Sequence, residues 1–191
     1  MASGLGTTLA AALSYQEMHS PPWKIVALVS SSEVAAANDV AKKHQLPTVI
    51  VQSKDFYDFD GWDLAVSAAL DEFSPDVVFL MGFLKKIGPQ VLKQYRDRIF
   101  NSHPSLLPKY GGPGMYGRNV HEAVFKNKEK YSGVSIHKVS ENFDEGQILE
   151  QRKFELAPLK SVDEIEAAAK TLEKKLVIDY LNRIQDRLKR S

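Results

Sequence analysis

The stretch Ile99-Phe100-Asn101-Ser102-His103-Pro104 places an amide and an imidazole two residues apart, directly after an apolar pair. Buried polar side chains are costly unless satisfied, so the pair reads either as a hydrogen-bonded turn or as part of a reaction site. An amide donor beside a histidine suits acyl transfer, in which a carbonyl oxygen turns negative and must be met by hydrogen-bond donors. Phe143-Asp144-Glu145-Gly146 is a turn ahead of a strand, its aspartate either a turn cap or a charged partner for such a site. His137 alternates onto the same strand face as Ser135, as a support for the site or as a satisfied sheet residue. Near the start, Ser3-Gly4-Leu5-Gly6-Thr7-Thr8 is a glycine turn running into a helix. The amides of Gly6, Thr7 and Thr8 would point outward there, where the helix dipole favours an anion; a plain turn capped by Thr7 is the alternative. His121 reads as a helix-face residue, and His19 and His44 as surface residues. No trio of histidines or carboxylates has metal-ligand spacing, so no metal is expected.

These groups need a frame. Buried strands rich in β-branched or aromatic residues are predicted at Lys24–Ser30, Pro47–Val51, Asp76–Met81 and Ile99–Asn101. Gly133–Val139 continues the series and Ile148–Leu156 reads as an antiparallel addition. Between them helical patterns cover Thr7–Gln16, Ser32–His44 (capped by Ser31 or Ser32), Asp63–Phe73, Pro89–Arg96, Asn119–Lys128 and Val162–Leu188. Pro89 suits a first helical position, and Ser161 and Glu164 are spaced as a capping box. The alternation implies right-handed crossovers and a mainly parallel sheet covered on both faces, an α/β fold in a single domain. Ligands of such sheets bind beyond the carboxyl ends of the strands, where Asn101 and His103 stand. Only Met1 and Ala2 precede the glycine turn, so a first strand of about five residues is expected to be truncated, and the sheet weakened.

Composition narrows the function. The chain has 191 residues, 43% hydrophobic and 26% charged, with a net charge of +1, which gives no bulk attraction to nucleic acid or membrane. It has no cysteine, which excludes disulfides, zinc–thiolate sites and thiol catalysis and suits a cytoplasmic setting. No run approaches the roughly 18 apolar residues of a membrane helix.

Taken together, SGLGTTL, PDVVFLMGFLKKIGP, NSHPSLLPKYGG and GVSIHKVSENFDEGQIL resemble the glycinamide ribonucleotide (GAR) formyltransferase family over nearly the whole chain. The resemblance implies a Rossmann-like three-layer α/β/α domain that moves a formyl group from 10-formyltetrahydrofolate to the amine of glycinamide ribonucleotide in purine synthesis, as a monomer or homodimer. It assigns catalysis to Asn101, His103 and Asp144, with Asp144 holding a nearby histidine cationic or taking the amine's proton. It gives the ribonucleotide phosphate to Gly6, Thr7 and Thr8, a further ribonucleotide contact to Glu173, and the folate slot to Phe83, Leu84, Ile87, Val139 and Phe143. Ser135 and His137 fall on the strand that supports the site's water network, and Leu107–Pro108 on a cis bond. A phosphate-binding part spans about 1–98 and a folate and catalytic part about 99–191. Departures are GTTL for the common GSNL, Lys86 at a usually apolar place, the long GGPGMYG loop, and EKKLVIDY near Glu173. DFYDFDGW also lacks an arginine often found near the phosphate. The rivals are other formyl-handling enzymes (methionyl-tRNA formyltransferase or a formyltetrahydrofolate hydrolase) and a nucleotide-binding module without catalysis.

Overall fold

The computed structural model describes residues 1–188, with side chains through residue 184. In chain order come α1 (Thr7–His19), β1 (Leu28–Ser30), α2 (Ala36–Lys43), β2 (Thr48–Ile50), α3 (Phe59–Asp71), β3 (Val78–Leu80) and α4 (Pro89–Gln94). Then follow β4 (Ile99–His103), α5 (Arg118–Lys126), β5 (Tyr131–Lys138), β6 (Ile148–Glu155) and α6 (Val162–Leu188). The fold is α/β and Rossmann-like. β1 pairs with β2 and β3 with β4, both in parallel, while β5 runs antiparallel to β4 and β6 antiparallel to β5. The reversal at β5 departs from a simple continuation of the parallel series, because side-chain alternation is the same in either direction and does not encode it.

Strand alternation sorts the faces. Val78, Leu80 and Ile99 point into a core closed by Trp62 and Val66 of α3 and Val91 of α4. Phe79, Phe100, Val134 and Ile136 point the other way, onto Leu176, Val177 and Tyr180 of α6. Tyr180 meets Phe100 and Phe79 edge-on at 5.6 and 6.2 Å, contacts worth about 0.5–1.5 kcal/mol each beyond area burial. α1 packs beside α6, and the Leu9, Leu13 and Leu28 cluster joins it to β1 and α2.

The strands form two sheets, β1–β2 and β3–β4–β5–β6, and residues 1–3 bridge them. Met1 nitrogen lies 2.6 Å from the Phe79 carbonyl and Ala2 N–H donates to Val29 (3.2 Å), with Ala2 bridging Ser30 in parallel. Beside them a cavity of about 210 Å³ separates Lys24–Ala27 from Asp76–Val77. β1 starts at Leu28 rather than Lys24, and β3 at Val78 rather than Asp76, because these are the first residues to meet Thr48 of β2 and Ile99 of β4; an extended segment needs a ladder partner to count as a strand.

Helix ends also differ from their sequence signals. α2 begins at Ala36, with neither Ser31 nor Ser32 as its cap; instead the Asn38 amide donates to the Ser32 and Glu33 carbonyls. α3 begins four residues before its predicted start because Asp58 accepts the Gly61 N–H at 2.8 Å, an N-cap. Its buried Asp63 reaches across to cap α4, accepting from Gln90 N–H at 2.7 Å. At α6, Ser161 accepts the Glu164 N–H as predicted, whereas the Glu164 carboxylate takes the N–H of Lys160.

Candidate active site

Alternation along β4 sends Asn101 and His103 to the side of the sheet opposite α6, and Ser102 towards α6. The antiparallel register then sets Asn101 opposite His137 and His103 opposite Ser135. Asp144 completes the group from the turn before β6. It holds φ +59°, a left-handed backbone that aspartate tolerates better than most residues. That turn folds tightly against β5 because Gly146 has no Cβ; one there would lie 1.8 Å from the Lys138 carbonyl oxygen.

One carboxylate oxygen is the meeting point. Asp144 Oδ1 lies 3.4 Å from His103 Nδ1, 3.5 Å from the Asn101 amide nitrogen and 3.5 Å from His137 Nε2, while Oδ2 accepts the Gly112 N–H at 3.0 Å. His103 Nε2 donates to the Tyr110 carbonyl at 2.7 Å, so both of its ring nitrogens face oxygens that only accept. Each has a partner when the ring carries two protons. His137 Nδ1 donates to its neighbour's carbonyl, Lys138, at 2.8 Å, leaving Nε2 to accept the Asn101 amide hydrogen at 3.0 Å. Burial by itself would raise the Asp144 carboxyl. The His103 hydrogen bond and charge and the Gly112 N–H outweigh it and hold the group well below the usual carboxylate range.

Asn101, His103 and Asp144 line one cavity of about 530 Å³, shared with Gly6, Thr7, Thr8 and Glu173. Phe83, Leu84, Ile87, Val139 and Phe143 border it too. Phe83 and Ile87 belong equally to the core, Phe83 stacking on Trp62 at 6.4 Å, so that wall is rigid; Leu84 and Phe143 are its exposed members. Ser135 lies outside the lining. Its hydroxyl donates to the Ser105 carbonyl (2.6 Å) and accepts the Leu107 N–H (3.0 Å), holding the loop after β4 in place. Leu107–Pro108 in that loop is cis.

At the far end, α1 starts on Gly6 at φ +69° with no side chain capping it, so Thr7 does not close the turn and its amides border the cavity. A Cβ at Gly6 would sit 2.7 Å from Ala37 Cα, which reserves the position for glycine. Glu173 stands beside this turn, held by the hydroxyls of Ser102 (2.6 Å) and Thr8. Burial raises its carboxyl above the ordinary value against those two hydrogen bonds.

Sequence reading missed Glu166 and Lys170, which line the same cavity and bond to each other at 2.6 Å. The signal was present: residues 166, 170 and 173 are spaced i, i+4, i+7, one face of a helix. His121 was placed on a helix face, and that face proves to be the cavity wall, where the residue is 2% exposed.

Against known proteins, the formyl transferase family model matches residues 1–181. The chain belongs to the formyl transferase family. Phosphoribosylglycinamide formyltransferase of Haemophilus influenzae is 30% identical over 190 residues, covering 98% of this chain and 87% of that protein. The Mycobacterium tuberculosis (strain H37Rv) protein of the same name is 31% identical over 93% of this chain and 80% of its own. The chain spans 57% of the Arabidopsis thaliana chloroplastic enzyme and 15% of the Bos taurus trifunctional purine biosynthetic protein adenosine-3. Among solved structures, phosphoribosylglycinamide formyltransferase from Bacillus halodurans superposes with a TM-score of 0.88 at 27% identity, over 96% of this chain and 92% of that one.

Proposed function

We propose that this formyl transferase moves the formyl group of 10-formyltetrahydrofolate to the amine of glycinamide ribonucleotide, a step of purine biosynthesis. The observation that carries the reading is the convergence of Asn101, His103 and His137 on one Asp144 oxygen, in a cavity whose other end is an uncapped glycine turn. On this reading the amides of Gly6, Thr7 and Thr8 take the phosphate, Glu173 a neighbouring polar group of the ribonucleotide, and Phe83, Leu84, Ile87, Val139 and Phe143 the flat pterin.

The amine attacks the formyl carbon and the carbonyl oxygen becomes an oxyanion, which takes over the Asn101 amide hydrogen and the Nδ1–H of the doubly protonated His103, whose nitrogens lie 3.5 and 3.4 Å from Asp144 in the free protein. Asp144, held ionised, pairs with that imidazolium. It serves as the charge that holds the imidazolium and as a relay for the amine's proton. The proton lost by the amine passes by way of Asp144 or a water to the folate nitrogen, which departs as the carbon–nitrogen bond breaks. No bond to the protein forms. Binding both substrates in one cleft supplies much of the rate; well-oriented intramolecular systems gain on the order of 7–11 kcal/mol. The cytoplasm is the setting in keeping with a cysteine-free chain.

The test is incubation with 10-formyltetrahydrofolate, with and without glycinamide ribonucleotide. Loss of the formyl group only with the ribonucleotide is expected. Loss without it would instead mark a hydrolase, and no loss would overturn the reading.

A further inference from the structure

Three histidines border the cavity, and two have their rings fixed by the protein. His103 is held between the Tyr110 carbonyl and Asp144, and His137 between the Lys138 carbonyl and the Asn101 amide. His121, in the first turn of α5, differs. It is 2% exposed, its Nδ1 is sealed from solvent without a partner, and among the described residues no hydrogen bond reaches its ring. With Nδ1 sealed, Nε2 is the ring nitrogen left for a molecule in the cavity to reach, and a buried polar ring without protein partners is one that a ligand or water completes. Nothing in the protein fixes which nitrogen carries the proton, so a bound molecule is free to do so.

Its position says which molecule. The ring feels the charges of Glu166 and Lys170 from α6, of His103 from β4 and of Arg118 from its own helix. Lys170 stands one turn from Glu173, beside the glycine turn, and His103 stands at the reacting end. His121 therefore faces the stretch between the phosphate seat and the formyl-transfer centre. We propose that His121 hydrogen-bonds the polar middle of the ribonucleotide, a ribose hydroxyl or the glycinamide amide, and thereby sets affinity for the formyl acceptor rather than for the folate donor. Burial pushes its imidazole below the ordinary histidine value, against Glu166. Nε2 of the neutral ring offers a donor or an acceptor, matched to a hydroxyl or an amide and not to a phosphate, which calls for cations or amides.

The inference rests on the acceptor being glycinamide ribonucleotide, and its test separates the two. His121→Phe, which keeps a ring and deletes both nitrogens, is expected to raise KM for the ribonucleotide about tenfold, with KM for 10-formyltetrahydrofolate changed by less than about twofold, while thermal stability is held or raised. His121→Gln, which keeps a donor and an acceptor, is expected to recover part of the loss. In the unmodified protein, glycinamide ribonucleotide alone is expected to shift the His121 ring ¹⁵N resonances, and the folate alone to leave them in place. Equal rises in both KM values, an unchanged acceptor KM, or ring resonances indifferent to the ribonucleotide would each overturn the proposal. Absence of transfer by the unmodified protein would overturn the underlying function instead.

Discussion

Asp144 and Glu173 lie in one cavity, yet the protein treats their carboxyl groups in opposite ways. Asp144 is surrounded by an amide, two imidazoles and a backbone N–H, and stays ionised although half-buried. Glu173 receives two hydroxyls, whose dipoles do not offset burial, and its carboxyl is raised. The first site is complete before any substrate arrives. At the second, burial disfavours ionisation, and a ligand's donors would relieve it. The contrast separates a reaction centre, organised around a fixed negative charge, from a recognition end that gains its partners on binding.

The largest expected effect is at the reaction centre. Asp144→Asn removes charge and relay but little volume, and should lower turnover by about 10³-fold with the fold intact, checked by steady-state kinetics and circular dichroism. Near-normal turnover would place the chemistry elsewhere. Asn101→Ala should follow at about 10²-fold, the scale for losing one donor to a developing oxyanion.

Glu173→Gln sharpens the contrast. It keeps an acceptor for Ser102 and removes a group whose ionisation burial disfavours, so the free protein should be unchanged or stabilised by up to about 1 kcal/mol in denaturant unfolding. Affinity for the ribonucleotide should nonetheless fall, by about tenfold. Destabilisation with unchanged affinity would make Glu173 a structural residue. Gly6 is a poorer probe of this end, because a side chain there collides with Ala37 and disturbs the α1–α2 packing along with any anion seat.

The smallest effect is in acid. The Asp144 carboxyl is lowered on folding, so its stabilisation is present above the unfolded value of about 3.9 and is lost as pH falls through the folded one. Glu173 is raised, so its ionisation costs stability as pH rises past about 4.3, and relief follows on acidification. Unfolding measured from neutral pH downward should therefore show a shallower loss for Asp144→Asn and a steeper one for Glu173→Gln than for the unmodified chain. The reverse order would refute the two assignments.

The reaction centre was the more legible end. Asn101 and His103 share a short motif whose strand alternation already sets them on one face, and Asp144 occupies a recognisable turn. Their meeting at one oxygen was not readable, because it depends on the reversal of β5 and on the close approach at Gly146. The recognition end was less legible for a related reason. Glu166, Lys170 and His121 look like ordinary helix-surface residues until α5 and α6 pack, and helical period gives a face without saying what it faces. The short β1 and β3 make the same point: Lys24–Ala27 has strand composition, but composition does not supply the neighbour that a strand requires.

The most direct test of the central claim is a single turnover with the formyl carbon of the folate labelled with ¹³C, followed by NMR in the presence of excess enzyme and glycinamide ribonucleotide. The account predicts that the label passes from the folate to the ribonucleotide amine without residing on the protein, and that Asp144→Asn arrests it on the folate. Label found on the protein, or released as formate while the ribonucleotide stays unformylated, would contradict direct transfer in this cavity.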